Sequence, residues 1–173
     1  MDNLLYDFSD NSEAEQYNTL VLLDSVIGKK NLNVKPTFHV LGGTALIFHG
    51  VLYTSTIDID TANALTQEVK DIVEPFISDN ASEVALLAKN YTKRLVPYKP
   101  EIFKNCEVLL LSLEDVIITK LGAYRLKDKE DITATNVLDL LDVAKMEKIL
   151  SEEFDTKTAE LIRGRFKTIA GGR

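Results

Sequence analysis

The chain has 173 residues, a formal net charge of −7 and 45% hydrophobic residues, so it can bury an ordinary core. The acidic balance argues against broad, nonspecific nucleic-acid binding but leaves room for a local basic groove. The single cysteine, Cys106, excludes an intrachain disulfide and is typical of a reducing compartment. No basic, apolar leader and no membrane-length apolar run is seen, so we expect a cytoplasmic protein without a membrane partner.

Local patterns predict two helices and a strand at the start of the chain. The S-x-x-E pattern at Ser12 is typical of a helix start, and Gly28 ends that helix. An apolar strand is expected at 37–41. A Gly-Gly turn follows it, and a short apolar helix is predicted from Thr44 to Leu52.

A second strand, expected at about 55–61, carries two carboxylates. Because side chains alternate along a strand, Asp58 and Asp60 should share one face, about 6–7 Å apart. Ile57 and Ile59 should point the other way, into a core. Two carboxylates on one face repel each other unless a cation offsets them, so the pair predicts a site for a divalent metal that carries a phosphate.

The middle of the chain is predicted to alternate helices and strands. Helices are expected at Thr66–Ile77 and at Asn80–Lys89. A strand at Lys93–Tyr98 can lie only at a sheet edge, because it contains a proline. A buried strand is expected at Glu107–Leu111.

The last third of the chain is predicted to be helical. Ser112 is the expected N-cap of one helix, and later helices should break near Asp142 and near Asp155. Strands early and helices late favour an α+β or α/β core at about 12–111 with a helical part at about 112–170. No Gly-, Ser- or Pro-rich linker separates the two parts, so we expect a single domain.

Lys120 lies on the apolar stripe of its predicted helix rather than on the polar face. Spacing alone leaves two interpretations open: a lysine whose ammonium reaches water at the edge of the stripe, or a cation inside a polar cavity. Arg125, Asp128 and Asp131 follow in a charged run, which is more often a solvated cluster. If the helix continued, however, Asp131 would return to nearly the direction of Lys120.

Taken together, these residues resemble the nucleotidyltransferase superfamily, whose signature is an apolar strand, Gly-Gly or Gly-Ser, and a downstream Asp-x-Asp. The runs 42–46 and 56–60 look like those of small bacterial proteins that include the abortive-infection AbiEii toxins. The runs 115–125 and 127–132 are similar to the second motif of that branch, Lys-Leu-x-Ala followed by Arg-Asp-x-x-Asp-Ile. The matched stretches span roughly 38–132.

The resemblance implies a mixed sheet flanked by helices and the transfer of a nucleotidyl group from an NTP to a hydroxyl on RNA, such as tRNA, or on a protein. Asp58 and Asp60 would hold Mg²⁺ or Mn²⁺, and Lys120 would lie against triphosphate oxygens. Asp128 or Asp131 would orient Lys120 or accept the proton of the acceptor.

The resemblance also implies nucleotide-binding residues and partners. Backbone N–H groups of Gly43 and Thr44 would hold the β- and γ-phosphates. The full expected set is Gly42, Gly43, Thr44, Thr56, Lys120 and Arg125. A role in toxin–antitoxin pairs or phage defence would add an antitoxin as a partner. Basic residues that would suit an approaching RNA are Lys93, Arg94, Lys99, Lys104, Arg125 and Lys127.

The sequence departs from the family pattern in three ways. Thr54 stands where the branch usually has arginine, and Lys127 replaces the arginine before Asp128. The third carboxylate of the superfamily is not evident, since Glu107 is the only acidic residue near a late strand. An alternative function therefore stays open, a catalytically inactive member that binds nucleotide or a protein partner. A purely structural domain would need the two motifs to coincide by accident.

Overall fold

The computed structural model describes residues 12–51, 54 and 56–172. The described helices are α1 (Ser12–Lys29), α2 (Gly42–Phe48), α3 (Gln67–Val73), α4 (Ala81–Val84), α5 (Leu113–Ala123), α6 (Leu126–Thr133), α7 (Val137–Leu140), α8 (Val143–Glu153) and α9 (Thr156–Ala170), with a short 3₁₀-helix at Tyr91–Arg94. The described strands are β1 (Thr37–Leu41), β2 (Ile59–Thr61), β3 (Ile77–Ser78), β4 (Val96–Pro97) and β5 (Glu107–Leu110). Among these helices, none is long and apolar enough to cross a membrane.

The strands form one mixed sheet in the order β3-β2-β1-β5-β4. The central strand β1 runs antiparallel to β2 and parallel to β5. The register places Leu41 opposite Asp60, and Thr37 opposite Glu107 at the other end of β1. Together with the C-terminal helices, this arrangement confirms the predicted α+β fold.

The two faces of the sheet differ in polarity. Phe38, Val40 and Leu110 lie on the face that is buried in the core. The opposite face, which we call the polar face, carries Thr37, His39, Asp60, Glu107 and Leu109, all of them at least partly exposed, and also Leu41, which is buried. Ligands therefore have access to the sheet from its polar face.

The helical part packs around α5, which contacts α2, α6, α8 and α9. The Ser112 hydroxyl accepts a hydrogen bond from the backbone N–H of Asp115 at 3.2 Å, which confirms the predicted N-cap. Asp142 and Asp155 cap α8 and α9 in the same way, so the two predicted breaks are confirmed. The division of the chain into domains stays a prediction.

The predicted helices of the middle segment are too long. The Thr66 hydroxyl caps α3, but α3 ends at Val73, before Pro75, and Ile77 and Ser78 instead form β3. The helix predicted at Asn80–Lys89 reduces to α4. The segment predicted as an edge strand begins as a 3₁₀-helix, and only β4 pairs with the sheet, at its edge as expected.

The prediction for the second strand is wrong in part, because pairing begins only at Ile59. The hydroxyls of Thr44 and Thr56 both donate to the carbonyl oxygen of Asp58, at 3.1 Å each, and the chain bends there. Alternation therefore does not extend to Ile57, whose side chain is 89% exposed rather than in the core. Ile59 is fully buried, as predicted.

Candidate active site

The junction of β1 and α2 brings backbone close to the Asp-x-Asp segment. Gly42 has a φ of +68°, a conformation that glycine adopts without strain, and α2 begins at this residue rather than at Thr44 as predicted. A Cβ at Gly42 would lie 3.6 Å from Asp60 Oδ2, and a Cβ at Gly43 would lie only 2.9 Å from the Cβ of Thr56. Gly42 is thus favoured by its backbone conformation, and Gly43 by close packing against the segment that carries the carboxylates.

Asp58 and Asp60 lie near each other although only Asp60 is in a strand. Asp58 is exposed at the bend, and Asp60 is half-buried on the polar face. Burial raises the pKa of Asp60, and the charge of Asp58 raises it further. Arg125 and Lys120 act in the opposite direction on the same pKa. The two motifs, which are more than fifty residues apart in the sequence, therefore meet in space.

Lys120 is buried in the C-terminal half of α5, with 6% of its surface exposed. Its Nζ lies 2.7 Å from Asp131 Oδ2 and 3.5 Å from Asp128 Oδ1. The spacing left the location of this ammonium open, and the structure places it in a cluster of carboxylates. An ammonium has three donors, and two of them are used here.

Asp128 and Asp131 are both buried and both paired with cations. Burial alone would raise the pKa of Asp128, but hydrogen bonds from Arg125 and the charges of Lys120 and Arg125 outweigh it and hold this pKa below its usual value. Asp131 also accepts a hydrogen bond from the Thr54 hydroxyl at 3.0 Å and pairs with Lys127 Nζ at 3.1 Å.

A sharp corner between α5 and α6 returns the two aspartates to Lys120. The helix does not continue through this segment: α5 ends at Tyr124, whose φ of 55° and ψ of 30° are left-handed. Arg165 of α9 donates to the carbonyl oxygens of Leu121 and Gly122, at 2.7 and 2.8 Å, and its guanidinium lies 4.6 Å from the centre of the Tyr124 ring. We call this group of residues the α5–α6 corner.

Sequence reasoning missed the corner and the role of Thr54. In the sequence, Thr54 stands out only because it replaces the arginine that the motif usually has there. In the structure, its hydroxyl donates a hydrogen bond to Asp131. Arg165 lies more than forty residues from the carbonyls it binds, so no pattern of neighbouring residues predicts these hydrogen bonds. Thr56 was expected to bind nucleotide; the structure shows its hydroxyl bonded to the carbonyl of Asp58, and a role in binding stays a prediction.

Glu107 is not the missing third carboxylate. It pairs with Thr37, four residues along β1 from the Leu41–Asp60 pair, a separation of about 13 Å. Its carboxylate instead accepts a hydrogen bond from the Thr37 hydroxyl at 3.2 Å. In the part of the chain that the structure describes, no group of three or more His, Cys, Asp or Glu side chains is arranged to hold a metal.

The six expected RNA-contacting cations do not all present a free charge. Arg94 forms two hydrogen bonds to Asp115, at 2.9 and 2.8 Å, and pairs with Glu153 as well. Arg125 and Lys127 pair with carboxylates of the site, although their side chains stay 76% and 55% exposed. Arg94 therefore tethers α5 to the end of α8 rather than facing an RNA.

Comparison with known proteins adds one finding. The model of a family described as nucleotidyltransferase of unknown function (DUF6036) matches residues 18–169, a range that includes the β1–α2 junction, the two carboxylates and the Lys120 cluster. No curated protein and no solved structure gives a significant match. The chain therefore belongs to the DUF6036 family of nucleotidyltransferases of unknown function.

Proposed function

We propose that this protein transfers a nucleotidyl group from a metal-bound nucleoside triphosphate to a hydroxyl on RNA or protein. The observation that carries the proposal is the shared electrostatic environment of Asp60, in which Asp58, Lys120 and Arg125 all act on one carboxylate. Two carboxylates suit a divalent cation, and two cations beside them suit phosphate oxygens.

The residues fit Mg²⁺ together with a nucleotide better than Mg²⁺ alone. Mg²⁺ commonly takes one or two carboxylates and completes its shell with water and substrate phosphates. Asp58 and Asp60 supply the two carboxylates, and their mutual repulsion would be relieved by a cation. When bound, Mg²⁺ would neutralise triphosphate charge and polarise the phosphate under attack.

The cations of the site have separate tasks in this proposal. Lys120 would hold a fixed positive charge beside the triphosphate, since two buried carboxylates keep its ammonium in place. Arg125 is the more accessible cation, and it binds Asp128 through Nε and Nη2 only, at 2.8 and 3.3 Å. The remaining N–H groups of its guanidinium would be available to phosphate oxygens.

Asp128 and Asp131 act as positioning residues in this proposal. Neighbouring cations hold the pKa of Asp128 below its usual value, and a carboxylate with a lowered pKa is a poor proton acceptor. Asp131 is already paired with Lys120 and Lys127. Of the two expected roles, orienting Lys120 is therefore the better supported.

We also propose that the protein belongs to the branch of small bacterial nucleotidyltransferases that includes AbiEii-like toxins. The support is the run of matched residues in both motifs, including Lys120, Asp128 and Asp131. In that setting a partner antitoxin and a tRNA acceptor are the first candidates to test.

The alternative is a protein that keeps the fold and binds nucleotide without transferring it. Two observations favour it: Thr54 occupies the usual arginine position, and no third carboxylate lies near Asp58 and Asp60 among the described residues. Such a protein would bind nucleotide but would transfer no nucleotidyl group.

A labelling experiment tests the proposal. The protein is incubated with each NTP labelled at the α-phosphate, with Mg²⁺ or Mn²⁺, and with total RNA or lysate. We expect wild type to transfer label and the double variant Asp58→Ala/Asp60→Ala to transfer none. The control Glu68→Ala/Glu83→Ala removes the same charge from two exposed residues outside the site and should behave as wild type.

Binding measurements separate the remaining outcomes. Mg²⁺-NTP binding without any transfer would favour the inactive alternative. If wild type binds no NTP at all, both functions are wrong.

A further inference from the structure

His39 lies beside Asp60 on the polar face. Leu41 is directly opposite Asp60, and His39 precedes Leu41 by two residues on the same side of β1. Diagonal neighbours of this kind lie about 7–8 Å apart in an antiparallel pair. A substrate group held at Asp60 would thus be within reach of the imidazole.

The imidazole is held from one side only. His39 Nδ1 lies 3.1 Å from the Tyr91 hydroxyl, and the two rings meet edge to face with centres 5.8 Å apart. Among the described residues, the hydrogen bond at Nδ1 is the only one that the imidazole forms. If Nδ1 carries the proton and donates it to Tyr91, the lone pair of Nε2 is free to accept another.

Burial favours the neutral form of the His39 ring. The titratable groups on the elements around it are Tyr91 of the 3₁₀-helix, Glu107 of β5 and Asp60 of β2, and a carboxylate favours the charged form instead. Burial lowers the pKa of His39, and the charge of Glu107 offsets this only in part. Burial raises the pKa of Tyr91, so its hydroxyl stays protonated.

The proposed reaction needs a proton acceptor that the described carboxylates do not supply. Asp128 and Asp131 are paired with cations, and Glu107 lies at the far end of β1. Asp58 and Asp60 are the proposed metal ligands. On the polar face, His39 is the base nearest to Asp58 and Asp60 that is not paired with a cation.

We propose that His39 Nε2 accepts the proton of the acceptor hydroxyl, and that Tyr91 positions the ring through Nδ1. The acceptor oxygen forms a bond to the α-phosphorus while the bond from that phosphorus to the bridging oxygen of the β-phosphate breaks. Pyrophosphate leaves with the bonding electron pair, and the hydroxyl proton moves to Nε2. This inference rests on the proposed function and names the group that replaces the third carboxylate.

Two variants of His39 test the inference. His39→Asn keeps a donor near the position of Nδ1 and removes Nε2, whereas His39→Gln offers a second, non-basic replacement should the first fail to fold. The matched control is His49→Gln, because His49 is the other histidine of the chain and its Nε2 binds the carbonyl of Leu111 at 2.7 Å. Tyr91→Phe removes only the hydroxyl that holds the ring.

Transfer of α-label is measured at saturating NTP and acceptor from about pH 5 to pH 9, and NTP binding is measured separately. For both His39 variants we expect kcat to fall about 100-fold or more with NTP binding unchanged. We expect the wild-type rate to fall toward acid pH, and this fall should disappear in both variants. Tyr91→Phe should lose less activity and keep an acid limb, and His49→Gln should match wild type.

Each other outcome overturns the inference in a recognisable way. If folded His39 variants keep kcat within about threefold of wild type with the same acid limb, His39 is not the proton acceptor although the proposed function stands. If NTP binding falls in parallel with kcat, His39 has a structural or binding role instead. If wild type itself transfers no label, the proposed function fails and the inference fails with it.

Discussion

Lys120 is the residue on which the buried charges of the site depend. Its ammonium lies between Asp128 and Asp131, each of which is almost fully buried. Removing one partner from a buried ion pair leaves an uncompensated charge, which costs far more than the pair itself contributes. The charge of Lys120 and the charges of Asp128 and Asp131 therefore stabilise one another, and a change at one affects the others.

Replacing Lys120 with methionine should therefore destabilise the protein by about 3 kcal/mol, measured by urea unfolding at neutral pH. The matched control is Lys127→Met, which removes an exposed partner of Asp131 and should cost less than about 1 kcal/mol. If the two changes lower the free energy of unfolding equally, the burial of Lys120 does not determine its contribution to stability.

Asp60 should lower the stability of the metal-free protein at neutral pH. Its pKa is raised on folding, so the folded state holds the charged form less well than the unfolded chain does. Because the group is half-exposed and partly screened by solvent, we expect Asp60→Asn to raise Tm by only about 1–3 °C. The gain should appear above the folded pKa and vanish below about pH 4, where Asp60 is protonated in both states.

Thermal unfolding in the presence of a chelator, at neutral and acid pH, checks this prediction. A lower Tm for Asp60→Asn at neutral pH would mean that the carboxylate has a stabilising partner. Glu68→Gln, an exposed carboxylate on α3, serves as the control and should leave Tm unchanged.

The element that sets the geometry of the site is the α5–α6 corner. Tyr124, whose backbone is in the left-handed conformation, ends α5. Arg165 of α9 donates hydrogen bonds to two carbonyls that have no partner within the helix. Without this corner, Asp128 and Asp131 would not fold back onto Lys120. The last helix of the chain thereby supports a site to which it contributes no ligand.

Arg165→Met should destabilise the protein by about 2 kcal/mol, because two carbonyl hydrogen bonds to a charged group are lost. Hydrogen exchange should show faster opening at the C-terminal end of α5, around Tyr124. Arg163→Met on the same helix breaks an exposed pair with Glu147 and should cost less than about 1 kcal/mol. Unchanged exchange at the corner would show that Arg165 does not hold it.

Elements with local signals could be predicted from the sequence. The alternation in β1, the Ser112 cap and the aspartate caps of α8 and α9 depend on residues within a few positions of each other. The true start of β2 depends instead on the hydroxyls of Thr44 and Thr56, which compete for a carbonyl that a longer strand would pair. The β3 strand and the corner held by Arg165 also rest on partners distant in sequence.

In the candidate site, too, some features could be predicted from the sequence and others depend on residues far apart in it. Residue types and spacing were enough to single out Asp58 and Asp60, whereas Lys120, Asp128 and Asp131 were singled out by the resemblance of the second motif to a known family. Neither was enough to show that both later aspartates are paired, since the pairing needs a turn that reverses the chain. His39 bonds the hydroxyl of Tyr91, which lies 52 residues away, so no local pattern indicates this partner.

At the scale of the whole molecule, the site joins the sheet to the helical part. The sheet contributes Asp60 at the end of the polar face, and α5 and α6 contribute the cations and their carboxylate partners. A ligand that binds across this junction stabilises both parts at once, in proportion to its affinity and concentration. Coupled stabilisation by nucleotide is therefore expected of the intact chain.

Binding of a non-hydrolysable NTP analogue tests the central claim most directly, since it does not depend on knowing the acceptor. Calorimetry should detect binding with Mg²⁺, weaker or no binding with a chelator, and little heat for Mg²⁺ alone. Asp58→Ala/Asp60→Ala should abolish the dependence on Mg²⁺, and the Glu68→Ala/Glu83→Ala control should preserve it. Binding that is equally tight with and without the two aspartates and Mg²⁺ would contradict the assignment of this site.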